Sequence, residues 1–142
     1  MKYLRTFIMA FLLLFPAVSN SEFIANERAP VVKMTEPDLF QIFMFYQKFW
    51  PSTGERIVVV LPPLDSALFK RLAYTLKLDS VSYRDSITSK MQRDSVRPVI
   101  ADSEFEVLIK VSNTPNSIGY YHDGIKYNDG FGIQTIFVIP SR

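Results

Sequence analysis

The chain has 142 residues, of which 48% are hydrophobic, 14% aromatic and 21% charged, a composition typical of a globular protein. It contains no cysteine, which excludes disulfide bonds, thiolate catalysis and cysteine-ligated metals. Lys2 and Arg5 precede an apolar N-terminal run that differs in composition from the rest of the chain. Without these two, the 16 basic residues become 14, equal to the 14 acidic residues. The basic isoelectric point therefore gives no support for a nucleic-acid partner.

The first 21 residues have the pattern of a secretory signal peptide. Two basic residues precede a continuous apolar run, residues 7–15, and small residues follow up to Ser21. The run is shorter than the ~20 residues that span a bilayer, which disfavours a membrane anchor. The sequence therefore predicts a cleaved signal over residues 1–21 and one exported domain over residues 22–142. A cysteine-free domain of this size is typical of a bacterial periplasm.

The mature domain is predicted to begin with a strand at residues 23–25, followed by an irregular tail over 30–32. Thr35, Pro37 and Asp38 then form the pattern of a capping box at the start of a helix. The helix is expected to end at the aromatic-proline turn 49–51. Helical spacing predicts its inner face from four residues: Leu39, Ile42, Phe43 and Tyr46.

The opposite side of this first helix is apolar as well, since it carries Phe40, Met44 and Phe45. A helix that is apolar all round is either buried or faces a partner. Two interpretations therefore stay open. The helix lies between the sheet and another helix, or these three residues form a contact surface for another protein.

The centre of the predicted fold lies in residues 48–76. The β-branched run 57–61 lacks alternation, which is typical of a strand covered on both faces, and two prolines end it. Asp65 or Ser66 is expected to cap a second helix, whose inner face repeats leucine at positions 68, 72 and 76. A strand joined to a helix by a short turn is half of an α/β unit, and its N–H groups point to where an anion can bind.

The rest of the chain predicts two further helices and two further strands. The third helix opens at 79–80 with Tyr83, Ile87 and Met91 on its inner face. The fourth follows a cap at Asp102 or Ser103, with an inner face of Phe105, Leu108 and Ile109. Strands are predicted at 117–121 and 133–139, with a brief strand contact at 99–100 and Asp-Gly turns at 123–124 and 129–130. The order β-α-β-α-α-α-β-β describes a single α/β sandwich.

No group of residues predicts catalysis, a metal or a cofactor. His122 is the single histidine and is interpreted as a turn residue. Glu104 and Glu106 point in different directions from one helix, and the serine-rich stretch 80–89 lacks the pattern of a nucleophile elbow. Trp50 is interpreted as a core anchor rather than a residue that stacks on a ligand.

Two short segments resemble the phosphate-binding proteins of ABC importers, and more closely their small single-lobe relatives. They are Lys-Phe-Trp-Pro at 48–51 and Thr-Pro-x-x-Ile-Gly-Tyr at 114–120. Their order and spacing around the strand-turn-helix centre carry the resemblance, which covers residues 30–139. It implies one lobe of a type II periplasmic binding protein, a three-layer sandwich in which a mixed sheet has helices on both faces.

The resemblance also implies a site. In the full-length proteins phosphate lies between two lobes and is held partly by an arginine and a Ser-Gly-Thr turn at a helix N-terminus. Ser66 matches the serine, whereas Ala67, Leu68 and Pro62 stand at the glycine, threonine and arginine positions. Proline cannot replace the bidentate charge pairing of arginine. The implied anion site is reduced to the backbone N–H groups of residues 66–69, from Ser66 to Phe69.

Two functions follow as expectations. The first is a non-enzymatic, periplasmic, solute-binding-like protein that binds phosphate or another small oxyanion weakly, or assists phosphate transport or sensing. Its partner would be a membrane or periplasmic protein. The second is a protein-interaction module that keeps the lobe as a scaffold and no longer binds phosphate, with Phe40, Met44 and Phe45 meeting the partner.

Overall fold

The computed structural model describes residues 22–31, 33–122 and 130–139. The predicted signal peptide, the first Asp-Gly turn and part of the second lie outside these residues. The described residues form seven strands and four helices. In chain order these are β1 (Phe23–Asn26), β2 (Met34–Thr35), α1 (Glu36–Phe43), β3 (Val58–Leu61), α2 (Ala67–Thr75), α3 (Ser80–Gln92), β4 (Val99–Ile100), α4 (Glu106–Asn113), β5 (Ser117–Tyr120), β6 (Ile133–Thr135) and β7 (Val138–Ile139).

Five of the strands form one mixed sheet in the order β4-β3-β5-β1-β6. Strand β3 is parallel to both β4 and β5, and Val60 lies opposite Val99 on one side and Gly119 on the other. Strand β1 is antiparallel to both β5 and β6. The predicted strands at 57–61 and 117–121 are therefore neighbours in one sheet, as the α/β prediction requires.

Helix α4 packs on one face of this sheet. A Cβ added at Gly119 would lie 2.9 Å from Val111 Cγ2 and 3.2 Å from Val107 Cγ1, so the helix approaches the strand too closely for any side chain there. On the same face, the amide of the buried Asn26 donates to the carbonyls of Val111 at 2.9 Å and Ser112 at 3.1 Å. These bonds satisfy carbonyl groups that the end of α4 leaves unpaired.

The other three helices cover the opposite face. Phe23 of β1 packs against Phe43 of α1, with ring centroids 5.4 Å apart. Helices α2 and α3 join through stacked rings of Phe69 and Tyr83, and the Tyr83 hydroxyl donates to the Phe43 carbonyl at 2.8 Å. Burial raises the pKa of Tyr83 far above its ordinary value. The predicted mixed sheet with helices on both faces is confirmed.

Helix α1 begins as predicted but ends early. Thr35 Oγ1 accepts from the Asp38 N–H at 3.2 Å and Asp38 Oδ2 accepts from the Thr35 N–H at 3.0 Å, which is the capping box. The predicted extension to residues 49–51 is wrong, because Phe45 adopts a left-handed φ of 63° that stops the helix. Tyr46, predicted on the inner face, is consequently 60% exposed.

Trp50 is the core anchor that the sequence predicts. Its side chain is 1% exposed, and its indole N–H donates to the Asn116 carbonyl at 3.1 Å. This bond joins the turn before β3 to the turn before β5. The buried indole therefore holds together the amino ends of two central strands.

Besides Tyr46, three residues predicted on inner helix faces are partly exposed, so these predictions are wrong. Met91 is 37% exposed at the end of α3, and Phe105 and Ile109 are 47% and 40% exposed at α4. The inner face of α4 consists of Val107, Leu108 and Val111. The predicted cap at Asp102 or Ser103 is also wrong, because Phe105 is the N-cap of α4 and its side chain makes no capping bond. Ser103 Oγ accepts from the Glu106 N–H at 3.2 Å in the turn before the helix.

The predicted strand at 133–139 is two strands in different sheets. Strand β6 pairs with β1, and the Ile136 N–H then bonds to the Phe23 carbonyl at 2.8 Å. Ile136 is buried, and the chain leaves the main sheet beyond it. Strand β7 pairs in parallel with β2 in a separate two-stranded sheet, because β1 already has a partner on each side.

Candidate functional site

Three parallel strands, β4, β3 and β5, end at one edge of the sheet, which we call the carboxyl edge. Residues 62–66 leave β3 there and lead directly into α2. In open α/β sheets ligands bind outside the carboxyl ends of the strands. The fold therefore puts the N-terminus of α2, where the sequence predicts anion contacts, at the edge where such sites occur.

Ser66 is the N-cap residue of α2, and both functions of its hydroxyl are used within the protein. Its Oγ accepts from the Phe69 N–H at 3.1 Å and donates to the Pro63 carbonyl at 2.6 Å. The Ser66 N–H also bonds to Pro63, at 2.9 Å. Two of the four predicted N–H donors, those of Ser66 and Phe69, are thus already engaged.

The N–H groups of Ala67 and Leu68 occupy the first two positions of α2, where an α-helix offers no acceptor of its own. Ala67 is exposed, whereas the side chains of Leu68 and Phe69 are 2% and 1% exposed and belong to the core. These backbone groups carry the partial positive charge of the helix terminus. Asp65, exposed and adjacent, is a negative charge that opposes anion binding.

A polar cluster farther along α2 was not predicted from the sequence. The Arg71 guanidinium pairs with the Glu22 carboxylate, which also accepts a hydrogen bond from the Tyr120 hydroxyl. The Tyr120 hydroxyl lies 3.1 Å from Thr75 Oγ1, which in turn contacts the Arg71 carbonyl at 2.8 Å. Glu22 and Tyr120 are 98 positions apart in the chain, so no local pattern indicates their contact.

The electrostatics of this cluster favour a neutral tyrosine and a charged arginine. Burial, followed by the hydrogen bond to Glu22, raises the pKa of Tyr120 to about 12. Burial alone lowers the pKa of Arg71, but attraction by Glu22 and hydrogen bonds with Tyr120 and Glu22 outweigh it and raise that pKa. The positive charge of Arg71 is therefore already matched by a carboxylate of the protein.

The residues predicted as a partner surface are half-buried. Phe40 lines a groove of about 260 Å³ between α1, the end of α2 and β7. Met44 is the C-cap of α1, and its carbonyl accepts from Lys90 Nζ at 2.8 Å. Phe45 lines a different, much smaller cleft beside β3. Phe40 and Phe45 thus open onto separate depressions.

The described residues offer neither a metal centre nor a membrane-spanning helix. No three His, Asp or Glu side chains in residues 22–31, 33–122 and 130–139 are grouped closely enough to hold a metal ion. Over the same ranges, each helix is too short or too polar to cross a bilayer. Every buried side-chain nitrogen or oxygen there has a hydrogen-bond partner, so no unpaired polar group marks an interior ligand site.

No family model matches the sequence, and no curated protein matches it. The fold is nevertheless similar to solved phosphate-transport receptors. A phosphate ABC transporter substrate-binding protein with bound phosphate, from Clostridium perfringens, matches with a TM-score of 0.62 at 16% identity. PstS from Borrelia burgdorferi matches with a TM-score of 0.55 at 22% sequence identity. An ABC-type phosphate transport receptor from Vibrio cholerae matches with a TM-score of 0.50 at 18% identity.

Each of these alignments covers 82% of this chain but only 44%, 46% and 45% of the respective receptor. The chain therefore spans less than half the length of the receptors it matches. It has the fold of one lobe-like part of a phosphate ABC transporter substrate-binding protein, which confirms the resemblance stated from the sequence. At these low identities the likeness establishes the fold alone.

Proposed function

We propose that this protein is a non-enzymatic, binding-protein-like module that binds phosphate or a similar small oxyanion weakly at the N-terminus of α2. The observation that carries the proposal is the position of that helix start at the carboxyl edge of three parallel strands. The same fold occurs in a receptor solved with bound phosphate. The N–H groups of Ala67 and Leu68 are the donors, and the helix terminus supplies a favourable potential.

Three features keep this binding weak. Pro62 stands where the resemblance places an arginine, so no guanidinium pairs with the anion from that position. The Ser66 hydroxyl is occupied by Pro63 and Phe69. Arg71 lies on the same helix, but Glu22 already neutralises it. We therefore expect a millimolar rather than micromolar dissociation constant.

A thermal-unfolding titration with phosphate, sulfate and chloride at constant ionic strength tests the proposal. A ligand that binds only the folded state raises the unfolding midpoint progressively with its concentration. Ser66→Asp is the informative variant, because aspartate can still accept from the Phe69 N–H as an N-cap but puts a negative charge where the anion binds. It loses the bond that serine donates to the Pro63 carbonyl. We expect this variant to fold and to lose the response to phosphate.

The matched control is Thr53→Asp at the opposite edge of the sheet, since the exposed Thr53 hydroxyl also accepts from a backbone N–H, that of Glu55 at 3.2 Å. This control changes the net charge equally and should leave the response to phosphate intact. No response of the unchanged protein to any oxyanion contradicts the proposal. So does a response that survives Ser66→Asp.

We also propose that the protein acts in the periplasm as an accessory to phosphate transport or sensing. The signal-peptide pattern of residues 1–21 and the likeness to transport receptors support this location. Expression of the full chain followed by osmotic shock should release a shortened protein whose N-terminus lies near residue 22. Recovery of the uncut chain from the cytosol would contradict export.

A second candidate function is protein interaction on the same scaffold, favoured by the groove of about 260 Å³ beside Phe40. Apolar groups of Phe23, Leu39 and Leu76 line it, and it is wide enough to take a side chain of a partner. Phe45 packs on the core, so replacing it would disturb folding. Phe40→Glu is the sharper test: it should abolish co-purification of a membrane or periplasmic protein while the phosphate response persists. Unaltered co-purification would exclude the groove.

A further inference from the structure

A group of cations lies at the amino ends of β3 and β4, the sheet edge opposite to the N-terminus of α2. Lys48 and Arg56 belong to the connection that enters β3, Lys90 and Arg93 to the end of α3, and Arg97 to the segment that enters β4. We call these five cations, with the neighbouring Tyr46, Phe49 and Met91, the amino-edge patch. Its members come from two stretches of sequence, 46–56 and 90–97.

Contacts show that the two stretches form one surface. Phe49 pairs with Arg56 in an antiparallel bridge, and Lys48 Nζ donates to the Ser95 carbonyl at 3.4 Å. Lys48, Arg56 and Arg97 all line one small cleft. The cations also repel one another, since Arg93 and Lys48 add to the effect of burial in lowering the pKa of Lys90.

Most of this positive charge is not neutralised by the protein. Arg97 is paired with Asp94 through two hydrogen bonds of 3.0 Å. Among the described residues, no carboxylate forms an ion pair with any of the other four cations of the patch. The nearby Glu55 carboxylate instead accepts from the Asn116 amide. Residues 22–142, with 14 basic and 14 acidic side chains, thus concentrate cations at one edge of the sheet.

Large apolar side chains are exposed on the same surface. Tyr46 and Phe49 are 60% and 53% exposed, and Met91 is 37% exposed. Lys90 Nζ lies 4.6 Å from the centroid of the Tyr46 ring, and Phe49 lies opposite Arg56 in the antiparallel bridge. Cations interleaved with exposed aromatic rings are the composition of proteins that lie on a membrane interface. A purely acidic partner would account for the cations but not for the exposed rings.

We propose that the amino-edge patch docks on an anionic membrane surface. The cations contact lipid phosphates, while Tyr46 and Phe49 enter the headgroup region, where amphipathic rings are favoured. The carboxyl edge then faces away from the lipid and stays open to solutes. The inference uses residues separate from the proposed oxyanion site, so either can fail without the other.

Co-sedimentation with lipid vesicles tests the proposal. The protein is mixed with vesicles of phosphatidylcholine alone, or of phosphatidylcholine with phosphatidylglycerol, at low and at physiological salt. We expect binding to the anionic vesicles at least about tenfold stronger than to neutral ones, because each cation near such a surface contributes to attachment. Binding should fall as salt screens the attraction. Millimolar inorganic phosphate at constant ionic strength should not compete.

Charge reversal then assigns the binding to the patch. Lys48→Glu with Arg56→Glu should lower vesicle affinity by more than about tenfold, since two attractive charges become repulsive. The matched control is Lys33→Glu with Lys70→Glu, two exposed cations outside the patch, which changes net charge equally and should have a much smaller effect. Phe49→Ser should weaken binding several-fold without a change of charge. Thermal unfolding confirms that each variant is folded.

Equal binding to neutral and anionic vesicles, or no binding to either, would overturn the proposal. An equal loss of vesicle affinity in the patch variant and in its control would also overturn the proposal, because such a loss would reflect net charge alone. Retention of the protein by a soluble acidic polypeptide, together with no binding to anionic vesicles, would assign the patch to a protein partner instead.

Discussion

Tyr120 is the residue through which α2 is joined to both β5 and the start of β1. Its ring packs edge-on against Phe23 with centroids 5.0 Å apart, and its hydroxyl contacts Glu22 and Thr75. The side chain is fully buried. The hydroxyl therefore has to remain protonated, because an unprotonated phenolate beside the Glu22 carboxylate would put two negative charges together out of water.

Stability should depend on Tyr120 at alkaline pH. Its pKa is about 12 in the folded protein against 10.0 for the ordinary side chain, so its contribution is complete below pH 10 and is lost as the pH rises toward 12. Tyr120→Phe should cost about 1 kcal/mol of unfolding free energy at pH 8, where the hydrogen bonds are lost. The difference should shrink above pH 10 and reverse sign before pH 12, because a rise of two pKa units is worth more than about 1 kcal/mol. Urea unfolding at several pH values measures it, and a constant difference would contradict the assignment.

At the scale of elements, N-cap residues determine where helices begin. Asp79 is the N-cap of α3, and its carboxylate accepts from the Ser82 N–H at 3.0 Å and from the Ser82 hydroxyl at 3.0 Å. Both bonds lower the pKa of Asp79 below its ordinary 3.8, and the bond from the Ser82 backbone N–H has the larger effect. A carboxylate at this end of a helix is also favoured by the helix dipole.

Acid sensitivity of α3 follows from that cap. Because the folded pKa of Asp79 is depressed, its contribution to stability is present above pH 3.8 and is lost as the pH falls through the folded value. Asp79→Asn keeps a capping oxygen but removes the charge. We expect the unchanged protein to be the more stable at pH 6 and the two to converge near pH 2. Urea unfolding followed by circular dichroism measures the free energy of unfolding of both proteins at each pH. A difference that stays constant from pH 6 to pH 2 would contradict the prediction.

The elements show which features a sequence pattern can predict. Helix starts were predictable because Thr35, Ser66 and Asp79 act through bonds to residues three positions away. Inner faces were less predictable: Met91 lies in the last turn of α3 and is partly exposed, and Ile109 lies on the outer side of α4, whose inner face is formed by other residues. The end of α1 was missed because the left-handed turn at Phe45 is held by tertiary contacts rather than by a glycine.

The same distinction holds for the candidate site. The strand-turn-helix around Ser66 is local, so the sequence predicted both its shape and its place in the sheet. The engagement of the Ser66 hydroxyl by Pro63 depends on the turn geometry, which composition does not reveal. The pairing of Glu22 with Arg71 and Tyr120 joins remote parts of the chain, and no local pattern encodes it. The amino-edge patch is likewise assembled from two separate stretches.

At the scale of the whole molecule, the sheet is completed by the first described strand. Strand β1 lies between β5 and β6, although 90 residues lie between the end of β1 and the start of β5, and 106 between β1 and β6. Ile24 of β1 is fully buried and faces α4, as do Gly119 and Val60 in neighbouring strands. Such remote pairing cannot form before the two ends of the chain meet. Loss of packing at β1 should therefore be felt by the entire sheet.

Ile24→Ala tests whether the sheet unfolds as one cooperative unit. Removal of a buried isoleucine side chain leaves a cavity between β1 and α4 and should cost about 2–5 kcal/mol of unfolding free energy. Trp50 is the only tryptophan, and it lies buried at the amino ends of β3 and β5, so its fluorescence reports on strands other than β1. In one cooperative unit, the tryptophan fluorescence and far-ultraviolet circular dichroism midpoints of the variant should fall together. A fluorescence midpoint that stays at its original value while the dichroism midpoint falls would show that β1 and β3 unfold independently.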